Sequence, residues 1–427
     1  MLMRYLREEY EAYRAHARYR DTDSDWAVLR EAIGRRELAS GPPRRLIIVP
    51  SDPWTLTGAK GDEAMIQAVV SQLKAQSPLL TVGIVTASDL ASSAARQLGF
   101  VPLQVWRQPL RHVVDAMIGF DADCLAVLGA DCMDGYYGAD TTLNLLALAD
   151  LAARLGIRTT ILGFSFNDQP VPRLAEAFDA LDERVGVHVR DDVSLERFKK
   201  FSSARANLVA DSAFMLTAVT DTDPVRQAEA WARGQRAAGR QVLGFNVHPM
   251  LIRNPSPEQL VRLVDNVARS VTDFMDTHAV ALAMISHDYR GSSGDDACLK
   301  PLVERLLPRF GSRVFYKETR CSAAELKGIA GAMDGVVTGR MHLAIASLGM
   351  GTPVAALTYQ DKFQGLMRHF DLPQELLLPP EKLCGPEPLT ALLSRFAHDV
   401  PAYQAQVAQR LGAVKALSSL NVRELLV

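Results

Sequence analysis

The stretch Gly335-Val336-Val337-Thr338-Gly339-Arg340-Met341-His342-Leu343-Ala344-Ile345-Ala346-Ser347-Leu348-Gly349 decides the fold. Gly335 to Thr338 is a short apolar run and reads as a buried strand. From His342 the apolar spacing becomes helical and stops at Gly349 and Gly351. Arg340 and His342 therefore sit where a strand turns into a helix. Such a junction offers backbone N–H groups and the positive end of the helix dipole. Arginine adds a fork of donors shaped for carboxylate or phosphate. Histidine adds a proton carrier near neutral pH. The pattern suits a small, highly charged anion with acid chemistry beside it. A capping arginine with no ligand is the bland alternative.

Strand and helix patterns alternate outward from this junction in both directions. Upstream, strands are read at 46–50, 79–86, 101–106, 124–128, 159–163, 186–189 and 207–210. Helices are read at 62–75, 89–98, 141–155 and 172–182, and one more follows Arg190, capped by Asp191 or Asp192. Thr220-Asp221-Thr222-Asp223-Pro224 breaks the pattern. Alternation then restarts, with strands at 241–247, 280–286, 313–316, 335–338 and 353–357. The helices between them are read to about 238 and at 257–277, 297–307, 323–333, 342–348 and 363–370. This order predicts an α/β fold of two doubly wound, parallel-sheet, Rossmann-like domains. The expected division is an N-terminal helical extension over 1–40, an α/β domain over 41–220, a second over 221–388, and a helical segment over 389–427. Ligands of open α/β sheets sit at the carboxyl ends of the strands. Glu63, His248, His287, Arg340 and Tyr359 all fall at or just beyond such ends.

A chain of 427 residues favours two domains. Its 48% hydrophobic and 22% charged content suits a globular enzyme, and a net charge of -2 gives no case for nucleic-acid binding. The five cysteines are Cys124, Cys132, Cys298, Cys321 and Cys384. They form no Cys-x-x-Cys pair, which points to a reducing, cytoplasmic compartment and away from a structural zinc site. Neither a signal-peptide core at the start nor an apolar run of membrane-spanning length is visible. In residues 1–40, Leu2, Leu6, Tyr10 and Tyr13 share one helical face. That face suits packing on its own domain or a second subunit; an interfacial membrane helix is the sharper alternative.

The run Arg340-Met341-His342, Gly349, Pro353, Tyr359 and Lys362 resembles the C-terminal signature of the polysaccharide pyruvyl transferase family. Gly61-Asp62-Glu63 resembles that family's Gly-Asp-Glu helix start, and Arg190-Asp191-Asp192-Val193-Ser194 its Arg-Asp-x-x-Ser segment. Ile285-Ser286-His287-Asp288, followed by Asp295-Asp296, is a further mark. One departure stands out. The family's Gly-Gly-Gly turn is here Gly129-Ala130-Asp131-Cys132-Met133-Asp134-Gly135, a turn that must tolerate side chains and so is expected to approach a ligand less closely.

The resemblance implies a GT-B-like architecture with a cleft between the domains, and transfer of pyruvate from phosphoenolpyruvate onto sugar hydroxyls of a glycan, as a ketal. Phosphoenolpyruvate is the donor substrate and no cofactor or metal is expected. His342 is the expected general acid and Arg340 the anion clamp. Arg190, Tyr359 and Lys362 join Arg340 on the donor side. Glu63 is a base for acceptor hydroxyls, with Gly61, Asp62, Asn246, His248, His287 and Asp288 along the cleft. For several of these a purely local role competes. Asp62 and Glu63 suit a first helical turn, Arg190 can pair with Asp191 or Asp192, His287 with Asp288 makes an acid–base pair or caps a loop, and Asp295-Asp296 caps the next helix. Expected partners are a sugar or lipid-linked glycan acceptor, a second copy of the chain, and membrane-bound glycan machinery met peripherally. A nucleotide-sugar glycosyltransferase and a non-catalytic glycan-binding relative are the rival readings.

Overall fold

The computed structural model describes residues 2–358 and 362–426, with backbone alone for residues 2–10, 12 and 13. Tyr359 and the side chains of Leu2, Leu6, Tyr10 and Tyr13 thus lie outside the described residues. The chain divides into two compact units. One comprises Met1–Thr57, Met65–Ser212 and Leu417–Val427; the other comprises Gly58–Ala64 and Ala213–Ala416.

The first unit contains α1 (Leu2–Ala32), β1 (Arg45–Val49), most of α2 (Lys60–Gln76), β2 (Thr81–Val85), α3 (Asp89–Gln97) and β3 (Val101–Leu103). It continues with α4 (Leu110–Gly119), β4 (Cys124–Val127), α5 (Ala139–Arg154), β5 (Arg158–Phe164), α6 (Leu174–Asp179), β6 (Gly186–Val189), α7 (Asp192–Phe201) and β7 (Ala206–Leu208). Its sheet is parallel throughout, in the order β3-β2-β1-β4-β5-β6-β7. The central strands are apolar and buried on both faces, the condition that makes a parallel sheet favourable. Helix α5 is buried nearly all round, as its run Leu143-Asn144-Leu145-Leu146-Ala147-Leu148-Ala149 requires. Helix α1 packs on α5 within this unit: Trp26 Nε1 donates to Asp150 Oδ2 (2.8 Å) and Arg18 Nε to Asp140 Oδ2 (2.8 Å).

The second unit contains α8 (Asp223–Ala237), β8 (Gln241–Asn246), α9 (Pro257–Thr277), β9 (Val280–Met284), α10 (Asp296–Phe310), β10 (Val314–Tyr316) and α11 (Ala323–Gly331). After these come β11 (Gly335–Thr338), α12 (Met341–Gly349), β12 (Val354–Leu357), α13 (Phe363–His369), β13 (Leu377–Leu378) and the long α14 (Glu387–Ser419). The chain ends in α15 (Arg423–Leu426), which packs on β5 of the first unit's sheet. The second sheet is also parallel, in the order β10-β9-β8-β11-β12-β13. The order in which strands are added reverses between β8 and β11, and in the first sheet between β1 and β4. Those are the points where such sheets open a crevice for ligands.

Two elements were not foreseen. Helix α4 carries Leu110, Val113, Val114 and Met117, a clear helical spacing directly after Pro109. Strand β13 is two residues long, too short to carry a pattern. Helix starts were legible where caps were present. Ser256 with Gln259 and Ser322 with Glu325 form complete capping boxes at α9 and α11.

Lys327, on α11, is 2% exposed. Its ammonium donates to the carbonyls of Phe214 (2.9 Å) and Leu216 (2.7 Å), with Ala213 at 3.4 Å. The Phe214 and Leu216 carbonyls lie at and just past the end of the short turn of helix Ser212–Met215, where the helix supplies no further donors, while the Ala213 carbonyl also accepts from Leu216 N (3.2 Å). Burial, with a contribution from Lys415, brings this amine down to about 7. Lys327→Met keeps the apolar stem but leaves buried acceptors unmade. A loss of about 3 kcal/mol is expected, since each such group costs roughly 1–3 kcal/mol. Chemical denaturation of the variant checks it, and an unchanged midpoint would refute the anchoring role.

Candidate active site

Three adjacent strands of the second sheet deliver the site. Strand β8 ends in Asn246, Val247 and His248; β9 leads to His287 and Asp288; β11 ends in Thr338, Gly339 and Arg340. Thr338 lies beside Asn246 in register, so the loops leave the sheet together. Arg340 is the N-cap residue of α12, extended at φ −94°, ψ 117°.

Arg340 is 8% exposed and heavily engaged. Its Nε donates to Asp295 Oδ1 at 2.7 Å, and Nη2 lies 2.7 Å from the same oxygen. Nη2 also donates to the Ser293 carbonyl (3.0 Å), and Nη1 lies 3.2 Å from Asp288 Oδ2 and 3.3 Å from Met250 Sδ. The Gly291–Gly294 loop is thus pinned through Ser293. Asp295 was expected to cap α10. Instead its side chain makes no cap bond. Its Oδ2 accepts from Asn246 Nδ2 (2.7 Å), His287 N (2.7 Å) and Asp288 N (3.2 Å). Complete burial raises this carboxyl and Arg340 pulls it back. With donors converging on both oxygens, the carboxylate form is the one that fits.

Asp288 does not pair with the His287 ring. Its carboxylate takes a two-pronged contact from Arg290, at 2.7 and 3.0 Å. Burial raises Asp288, and Arg290 and Arg340 bring it net below its ordinary value. Asn246 is wholly buried; Nδ2 donates to Ile285 O as well as Asp295, and Oδ1 accepts from Thr338 Oγ1. It ties the three strand ends together from inside.

The Gly61 helix start belongs to this same unit. Gly58 O accepts from Tyr289 N (3.0 Å), Lys60 N donates to His287 O (3.2 Å), and Ala59 bridges Asp288. Gly61 lies directly against the His342 ring; a Cβ there would come within 2.2 Å of His342 Nδ1. Glu63, expected as a base for acceptor hydroxyls in the first domain, is instead buried in the second unit. Its Oε2 accepts from Lys60 Nζ (2.6 Å) and its Oε1 from Ala323 N (2.9 Å), the first N–H of α11. Asp62 is buried beside it.

The three histidines differ in surroundings. His248 is wholly buried against Gly339, and burial plus the Arg340 charge holds it well below its ordinary value. His287 is 4% exposed and is lowered likewise by burial, then by His342 and Arg340. His342 alone of the three is half-buried, two residues into the α12 junction. Lys362, buried, is the N-cap residue of α13 after β12.

Arg190 lies in the first unit. Its guanidinium reaches Asp211 Oδ2 (3.0 Å) and Ser165 Oγ (2.9 Å), joining the ends of β5, β6 and β7. Asp191 caps α7, accepting from Ser194 N (2.7 Å). In the altered turn, Ala130 takes the left-handed conformation (φ +44°). Among the described residues no three His, Cys, Asp or Glu gather as metal ligands, and no helix is long and apolar enough to cross a membrane.

The sequence profile described as polysaccharide pyruvyl transferase matches residues 60–361. The chain belongs to that family. It is a transferase, and the match takes in the Gly61 helix start and the Arg340-x-His342 junction together. No curated protein sequence matches it. Among solved structures, the UDP-GlcNAc 2-epimerase of Neisseria meningitidis bound to UDP-GlcNAc is similar at a TM-score of 0.57 and 11% identity, over 89% of this chain and 99% of that one. The S. aureus MnaA–UDP structure has a TM-score of 0.57 and 11% identity, over 86% and 91%. The spinosyn forosaminyltransferase SpnP has 0.51 and 12%, over 90% and 98%. These likenesses give this family member the GT-B fold.

Asp295, Lys60 and Gly61's contact with His342 were not assigned from sequence. A buried arginine at a strand end signals a buried carboxylate nearby, and a helix start needs only one of the two acids Asp295 and Asp296. Gly61→Ala must push the His342 ring aside at a cost of about 1–3 kcal/mol, the range for overpacking. Proton–nitrogen correlation spectra of the His342 imidazole check this; unchanged ring resonances would place Gly61 away from the ring.

Proposed function

We propose that this transferase moves the pyruvyl group of phosphoenolpyruvate onto sugar hydroxyls of a glycan, closing a ketal. The observation that carries this reading is the α12 junction. There a half-buried histidine follows an arginine fixed at a helix N-terminus, while the two neighbouring histidines are buried and held neutral.

Phosphoenolpyruvate carries a carboxylate and a phosphate. The start of α12 supplies backbone N–H groups and dipole, and Arg340 and Lys362 supply cationic charge. Arg340 meets the ligand with its plane already set by Asp295 and Asp288, so little order is lost on binding. His342 gives its proton to the enol methylene, which becomes a methyl group. The electron deficiency falls on the central carbon, stabilised by its ester oxygen. An acceptor hydroxyl adds there and its proton passes to the now neutral His342 imidazole. The C–O bond to phosphate breaks, a second hydroxyl forms the second C–O bond, and its proton leaves with the phosphate. One imidazole thus serves as acid and then as base. Glu63, its oxygens occupied by Lys60 and Ala323, is a structural partner of this site.

Thermal shift separates donors directly. Phosphoenolpyruvate at 100 times its dissociation constant should stabilise the protein by about 2.7 kcal/mol, and uridine diphosphate should not. Stabilisation by the diphosphate alone would favour a nucleotide-sugar glycosyltransferase instead. His342→Ala should keep the fold and lower phosphate release from phosphoenolpyruvate, measured across a panel of glycan acceptors, by about 100-fold or more. Arg340→Lys retains charge but loses the fork, so calorimetry should show weaker phosphoenolpyruvate binding. Near-normal turnover in folded His342→Ala would remove histidine from the chemistry.

A further inference from the structure

The altered turn, Gly129 to Gly135, follows β4 directly. In register, β1 and β4 end side by side, Val49 beside Val127, at the reversal point of the first sheet. The turn presents Tyr136 and Tyr137 to solvent, 39% and 42% exposed, with ring centroids 5.0 Å apart in an edge-to-face arrangement. Trp54, 51% exposed, stands on the loop leaving β1.

This turn is built rigidly. Asp134 is buried, and its carboxylate accepts from Tyr136 N (2.9 Å) and Asn167 N (3.2 Å), while its carbonyl accepts from Val171 N (2.9 Å). Thr142 Oγ1 donates to Cys132 O (2.6 Å), and Tyr137 OH to Asp131 Oδ2 (3.0 Å). Gly135, at φ +83°, packs so closely that a Cβ would lie 2.7 Å from Val171. Ala130 adds a left-handed, non-glycine residue, a strained conformation that a surrounding structure must hold. Fixed aromatic rings facing water at the ligand edge of a sheet are a feature that packing alone does not explain.

We propose that Tyr136 and Tyr137 form a stacking platform for a neutral sugar ring of the acceptor, with the Asp131 carboxylate accepting from sugar hydroxyls. The chemistry matches a pyranose, whose C–H face packs on an aromatic ring and whose rim offers hydroxyl donors. The rings lose little freedom on binding because the turn already fixes them. The proposal rests on the glycan-acceptor reading above, but not on the identity of the donor.

Saturation-transfer NMR on the full chain tests it, with methyl β-D-galactopyranoside, methyl α-D-glucopyranoside and methyl α-D-mannopyranoside as probes. Transfer to the ring C–H protons of at least one glycoside is expected. It should be lost in the Tyr136→Ala/Tyr137→Ala double variant and kept in Leu79→Ala, a surface control remote in sequence. Tyr137→Phe should retain most of it. Thermal melts confirm that the variants fold. Absence of transfer from the wild type to every probe overturns the platform, as does equal transfer in the double variant. Glycoside transfer in a protein that releases no phosphate from phosphoenolpyruvate with any acceptor leaves the platform standing and removes the donor reading.

Discussion

The second unit depends on one buried interaction, the contact of Arg340 with Asp295. A guanidinium and a carboxylate withdrawn from water are each costly, and the pair is tolerable only when nearly every donor and acceptor is used. That requirement organises the neighbourhood. Asn246, the backbone of His287 and Asp288, Ser293 and Met250 are all arranged by it. The loops after β8, β9 and β11 therefore share one set of bonds. Their positions are fixed before any ligand arrives, which is the condition for electrostatic stabilisation without reorganisation.

Much of this was legible in the sequence because it is local. The strands of both sheets carry continuous apolar runs, and a strand followed by Gly-Arg-x-His opening a helix can be read from Gly335 to Gly349 alone. The family resemblance matches residues 60–361. What could not be read are partners chosen by topology. Asp295 and Arg340 lie 45 positions apart and meet because β9 and β11 flank β8. Glu63 finds Ala323 at a separation of 260. An acidic residue in the first turn of its own helix gives no hint that it will serve the first turn of another. Lys327 had no signal at all, since a lysine on a helix reads as a solvated one.

The histidines show how burial sorts residues of equal chemistry. His248, His287 and His342 each stand at a strand end, and spacing cannot rank them. Desolvation does: it costs the charged imidazolium, so the buried rings stay neutral, and neighbouring Arg340 acts in the same direction. A neutral buried ring can accept or donate one hydrogen bond and pack well, which suits a wall better than a proton carrier.

The seven residues Gly58–Ala64 carry a consequence for how this protein can be divided. They precede most of the first unit in the chain yet complete the second, lying against His342 and supplying Glu63 to α11. The boundary runs through helix α2 itself. Neither unit is therefore a contiguous stretch of gene. Excising residues 213–416 would remove the wall beside His342 and expose the first turn of α11. Recombination at the obvious linker near Thr220 would mix a helix start from one parent with the pocket of another. Inheritance must keep the Gly61 segment and the Arg340 junction together, although nearly 280 positions separate them.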